Sequence, residues 1–184
     1  MRKTAFWAAV GVMLVGILGS ATFALAHGFK KEVKAKGMSG YFEAPPVSSV
    51  ASGSFKAKID DNAQKIDYTL TYGDLEGDVL QAHIHFGQPG VSAGIMVWLC
   101  GTTGFPGPAG TPTCPGPRGG TVSGTITPAG VVGPSAQGIA VNEFNEVVRA
   151  IRAGRAYANV HSTKFTGGEI RAQLVGDHGR GHDK

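Results

Sequence analysis

Apolar and polar side chains alternate with period two over much of the chain. In Lys65–Tyr72, Ile66, Tyr68, Leu70 and Tyr72 fall on one side and Asp67, Thr69 and Thr71 on the other, the pattern of a strand with one buried face. Ala51–Ile59 does the same less cleanly, with Phe55, Ala57 and Ile59 against Ser54, Lys56 and Lys58. Asp60-Asp61-Asn62 between them is a turn sequence, so the two runs predict a hairpin. Val79–Phe86 sets Leu80, Ala82, Ile84 and Phe86 inward and Gln81, His83 and His85 outward. Ile95–Cys100 is apolar on both faces, as a central sandwich strand would be, and Val122–Ile126, Ala156–His161 and Glu169–Val175 complete the set. Only Asn142–Ala153 carries the helical period: Phe144, Val147, Val148 and Ile151 share a face, Asn142 is placed to cap and Gly154 to stop it. Short strands in this number with one short helix predict a mainly β fold, a Greek-key sandwich or barrel.

Composition sharpens that reading. The 29 glycines and 10 prolines among 184 residues exceed average usage of about 12%, but the hydrophobic content still suffices for one core, so a single β domain over residues 40–175 is expected. Residues 27–39, with four lysines, read as a flexible arm, 101–120 as a turn-rich Gly/Pro loop and 176–184 as a disordered polar tail. The formal charge of +4 falls to +2 if Arg2 and Lys3 are removed, and no basic patch is interleaved with aromatics, so nucleic acid is not an expected partner.

Arg2 and Lys3, the uncharged stretch from Ala5, and Ala24-Leu25-Ala26 have the order of a secretory signal over residues 1–26. Ala5–Ala26 is also long enough to span a bilayer, but the small-x-small ending favours cleavage, leaving a secreted or periplasmic protein without membrane insertion. Cys100 and Cys114 are then an even pair in an oxidising compartment. Their spacing lacks the short knuckle of a zinc site, so a structural disulfide closing the Gly/Pro loop is expected.

The sharpest chemical feature is His83-Ile84-His85. On a strand, residues i and i+2 project from one face about 6.6 Å apart, so two imidazoles can reach one ion while Ile84 enters the core. His161 ends another strand, and Glu169 follows across a turn; if those strands adjoin, His83, His85 and His161 form a zinc or copper site with Glu169 as a fourth ligand or an acceptor orienting an imidazole. The same residues would equally serve as a hydrogen-bond network pinning strand ends. His27, as a new amino terminus, and the Asp177, His178, His182, Asp183 tail are weaker metal candidates. No P-loop or G-x-G-x-x-G is present, and no catalytic residue is assigned.

Glu43-Ala44-Pro45-Pro46-Val47, Ala82-His83-Ile84-His85-Phe86-Gly87, Ala158-Asn159-Val160-His161 and Gly167-Gly168-Glu169-Ile170-Arg171-Ala172-Gln173-Leu174, in this order, resemble the CHRD domain, the module repeated in chordin and found singly in secreted bacterial proteins. The resemblance covers residues 40–175. It departs from the family at the Gly/Pro insert with its two cysteines. It implies an immunoglobulin-like sandwich or barrel and places His83, His85, His161 and Glu169 on one motif, with Asn159 and Arg171 as residues that orient them. The expected function is a non-enzymatic module binding an extracellular protein or small ligand. A copper/zinc enzyme of dismutase-like kind and a purely structural or adhesive envelope protein are the alternatives.

Overall fold

The computed structural model describes residues 32–176. The signal segment, His27 and the tail histidines lie outside them. Nine strands and one helix follow in chain order: β1 (Glu32–Met38), β2 (Ser52–Asp60), β3 (Lys65–Gly73), β4 (Val79–Phe86), β5 (Ile95–Gly101), β6 (Gly120–Ile126), α1 (Phe144–Arg152), β7 (Ala156–Ser162), β8 (Ile170–Gln173) and β9 (Val175–Gly176). They form two antiparallel sheets, β6-β3-β2-β1-β9 and β5-β4-β7-β8, packed as a sandwich. β6 returns beside β3 and β7 beside β4, the crossed pairings of an immunoglobulin-like Greek key. Between the sheets lie Phe55, Ile66 and Leu70 from one and Ala82, Ile84, Val97, Val160 and Ile170 from the other, all buried. The expected hairpin is the β2–β3 pair, whose register runs unbroken from Ser52↔Gly73 to Asp60↔Lys65.

Four expectations need correction. Residues 32–38, assigned to a flexible arm, form β1: Val33 and Ala35 point inward and pair against Ala57 and Phe55. Lysines at alternate positions masked a short inward row, which a bulge at Gly37 (φ 64°) then interrupts. Secondly, β5 is an edge strand rather than a central one. Its two apolar faces are explained by the core on one side, which Val97 enters, and the Gly/Pro loop on the other, which covers Trp98, while a bridge from Val97 to Val131 shields the edge. Thirdly, α1 starts at Phe144 without a side-chain cap. Asn142 sits at φ 68°, a left-handed turn rather than a cap, and Glu143 instead accepts from the Ala140 amide. The stop is as expected: Gly154 at φ 68° carries the reversed hydrogen bonds Arg155 N–H to Ala150 and Gly154 N–H to Ile151 that end helices in this way. Finally, the last predicted strand is two strands, because Leu174 turns inward between β8 in one sheet and β9 in the other.

Cys100 and Cys114 are bonded, with Cα atoms 4.9 Å apart. Closing a loop of this length stabilises by about 3 kcal/mol in the chain-entropy model. It also fixes the Gly/Pro loop over β5, where a Cβ on Gly107 would stand 2.8 Å from the Trp98 ring.

Candidate metal centre

The residues of greatest interest lie on the outer face of the β5-β4-β7-β8 sheet. Register fixes who meets whom. His83 lies opposite Trp98 on β5 and Asn159 on β7, His85 opposite Tyr157, and Gln81 opposite His161. His161 is therefore a diagonal neighbour of His83, within reach of a long ring. Asn159 and Tyr157 lie opposite Arg171 and Gln173 on β8. One row of alternate residues thus crosses four strands. The alternate positions between them, such as Ile84, Ala158 and Val160, fill the sandwich core.

That face was expected to be solvated, and it is buried. His83 is 0% exposed, His85 7% and His161 6%. Side chains supply the cover: the His83 ring stands edge-on to Trp98 at 4.3 Å, and Tyr157 stacks nearly parallel on His85 at 4.8 Å. Alternation alone cannot distinguish a face wetted by solvent from one roofed by loops.

The three imidazoles converge, their ligand atoms all within 4.8 Å of one another. Two are oriented from behind by backbone carbonyls: His85 Nδ1 is 2.8 Å from Ala93 O, and His161 Nδ1 is 2.9 Å from Thr166 O. A carbonyl only accepts, so each Nδ1 carries the proton and each Nε2 presents a lone pair, the arrangement that prepares histidine for a metal. His161 Nε2 lies 3.3 Å from His83 Nδ1. With the His161 proton on Nδ1, this contact is a hydrogen bond that His83 Nδ1–H donates. Zn–N bonds of about 2.0–2.1 Å in a tetrahedron also put ligand nitrogens about 3.3 Å apart, so the spacing suits an ion as well as a network. His83 Nε2 and His85 Nε2 are buried without hydrogen-bond partners, a cost that proteins seldom carry without a use.

Burial keeps all three rings neutral. It pushes His83 down to about 2, with His161 and His85 adding repulsion. His85 falls to about 4 for the same reason, against the opposing pull of the Ala93 carbonyl. His161 is lowered by burial too, the Thr166 carbonyl resisting. Neutral imidazole is the ligating form, so the site is competent well below neutral pH.

Glu169, Asn159 and Arg171 are all buried and tied to other groups. Glu169 Oε1 accepts from Ser49 Oγ and from the Glu76 amide, both at 2.7 Å, and Oε2 has no partner. Asn159 Nδ2 donates to Glu43 Oε1 at 2.8 Å. Arg171 donates from Nη1 to Val91 O at 3.0 Å and holds its guanidinium 3.6 Å above the Tyr157 ring. Arg171 thus touches His85 through Tyr157, and its charge adds to the lowering of the His85 ring. Glu43, Trp98 and Tyr157 were missed as site residues. Tyr157 shares the odd-numbered row of Asn159 and His161 on β7, which was the signal available for it.

Gly168 shows how tightly this floor is built. Its φ is 130°, and a Cβ there would lie 2.8 Å from Glu43 Oε1 and from both amide atoms of Asn159. Gly168→Ala is therefore expected to cost about 1–3 kcal/mol for the backbone conformation alone, read as a lower urea midpoint. An unchanged midpoint would mean that the Glu43–Asn159 contact yields freely.

A β-sandwich carrying a buried three-histidine cluster on its outer face is the class of protein defined so far. The CHRD domain model matches residues 35–174, most of the chain, and the protein belongs to the CHRD domain family. No curated protein and no solved structure matches it. Among the described residues, no helix is long and apolar enough to cross a membrane.

Proposed function

We propose that this is a secreted or periplasmic CHRD-domain module, a binding rather than a catalytic protein, organised around one zinc or copper ion held by His83, His85 and His161. The observation that carries it is the geometry of the nitrogens: three neutral imidazoles with convergent ligand atoms, two of them aimed by backbone carbonyls. The chemistry the ion would supply is Lewis-acid binding of a fourth donor. The rings are enclosed by Trp98 and Tyr157, which favours a resident ion over one that turns over substrate. Export is supported by the apolar leader sequence and by the Cys100–Cys114 bond. Glu169, Asn159 and Arg171 act as positioning residues that hold the ligand strands in register.

Metal content measured by plasma mass spectrometry, on untagged protein with residues 177–184 removed, tests this. Close to one zinc or copper per chain is expected, falling to background in His83→Ala/His85→Ala. The double variant is checked for fold by circular dichroism. A folded, metal-free protein that takes up neither added zinc nor added copper would leave the histidines as a structural network.

A further inference from the structure

At the sandwich edge where Ser39 bridges Arg171, a groove of about 1030 Å³ opens. Tyr41, Phe42 and Pro46 line one wall, and Pro89 and Val91 the other. Tyr41 is 69% exposed and Phe42 56%, an apolar surface of the kind that marks a contact site. The groove is preformed rather than slack. Arg171 holds the second wall through the Val91 and Gln88 carbonyls, and the first is pinned where the Tyr41 amide donates to Ser39 Oγ.

Its charged lining is asymmetric. Lys36 stands on the rim, and Arg171 and Glu43 are buried in the floor. Burial raises the Glu43 carboxyl to about 7, although Arg171 and the Asn159 amide both oppose this. At neutral pH one partly protonated acid therefore faces two cations, and the field in the groove is positive. An ammonium group would be repelled there, and a neutral chain would gain only burial. Pockets of this size with apolar walls and a few convergent polar groups are the usual form of a small-molecule site.

We propose that this groove binds an amphipathic monoanion, an aliphatic or aromatic body ending in one carboxylate, with the body between Phe42 and Val91 and the charge toward Lys36 and Arg171. The proposal is independent of the metal reading, since among the described residues no histidine lines the groove.

The test is calorimetric titration of the full exported chain with decanoate, decanol and decylamine, each kept below its micelle concentration. Decanoate is expected to bind about tenfold or more tighter than decanol, with no binding of decylamine. Phe42→Ala should weaken decanoate about tenfold by loss of apolar contact, and Lys36→Glu about fivefold or more. Both positions are exposed, and circular dichroism confirms that both variants fold. No decanoate binding at millimolar concentration overturns the proposal, as does equal affinity for the three head groups. Decanoate binding that Phe42→Ala leaves unchanged places the ligand elsewhere and overturns it too.

Discussion

Stripped of metal by chelation, the protein is expected to lose on the order of 2 kcal/mol of stability between pH 7 and pH 5, against the usual broad plateau over that range. The sign follows from the histidines. In the unfolded chain each binds a proton below about 6.5. In the folded protein burial holds His83 near 2 and His85 near 4, and His161 is lowered as well. A group whose folded value is depressed contributes stability above its unfolded value and loses it as pH falls, by up to about 1.4 kcal/mol per pH unit. His83 and His85 would together remove about 4 kcal/mol by pH 5, and His161 adds to the loss in the same direction.

Glu43 works the other way. Its folded value is raised from 4.5 to about 7, so its contribution is full below 4.5 and lost as pH rises through 7. It returns about 2 kcal/mol over the same interval. Arg171 on β8, Asn159 and Tyr157 on β7 are the polar groups it meets. Urea midpoints of chelated protein at the two pH values measure the net effect, and Glu43→Gln should steepen it by removing the opposing contribution. A midpoint equal or higher at pH 5 would mean that the folded histidines take up protons as freely as the unfolded ones.

The second large effect is expected at Arg171. It is 2% exposed, donates to the Val91 and Gln88 carbonyls, lies on the face of Tyr157 and holds down the Glu43 carboxyl by its charge. Arg171→Met removes two charged hydrogen bonds, leaving the Val91 carbonyl without its donor and Gln88 O with only the Val91 amide, and a buried carboxyl without its cation. Charged hydrogen bonds contribute about 1.5–3 kcal/mol each, so a loss of about 3–5 kcal/mol is expected on urea unfolding. Arg171→Lys keeps the charge but lacks the planar fork that spans two acceptors and stacks on a ring. It should recover less than half. A methionine variant within 1 kcal/mol of the parent would reduce Arg171 to a passive filler.

What the sequence revealed, and what it withheld, divides along physical lines. β3 was plain because one of its faces meets the core and the other meets water, so polarity reports orientation directly. That His83 and His85 share a face followed from period two, whereas His161 joins them only because β7 pairs with β4, which the sequence left as a condition. β7 shows where that reasoning stops. Tyr157, Asn159 and His161 look like a wet face, yet every residue from Ala156 to Ser162 is buried. The roof comes from segments far away in sequence, including the Glu43 loop and residues 88–93, whose contacts with β7 and β8 are side-chain hydrogen bonds that leave no periodic trace. Glu169 was expected as a fourth ligand or the acceptor orienting an imidazole, but Ser49 and the Glu76 amide take it once the loops are folded, and the Ala93 and Thr166 carbonyls orient the rings.

The pairing of Val33 with Gly176 and of Lys34 with Val175 bears on how this domain can be handled. The incoming and outgoing chain are zipped side by side at one corner of the sandwich, so the fold has a single doorway. Joining the ends by a short linker and reopening the chain at an exposed turn, or grafting the whole unit into a loop of a host protein, would ask little rearrangement of either partner. A cut at residue 35, where the family match begins, would remove half of that doorway and strand β9 at an open edge.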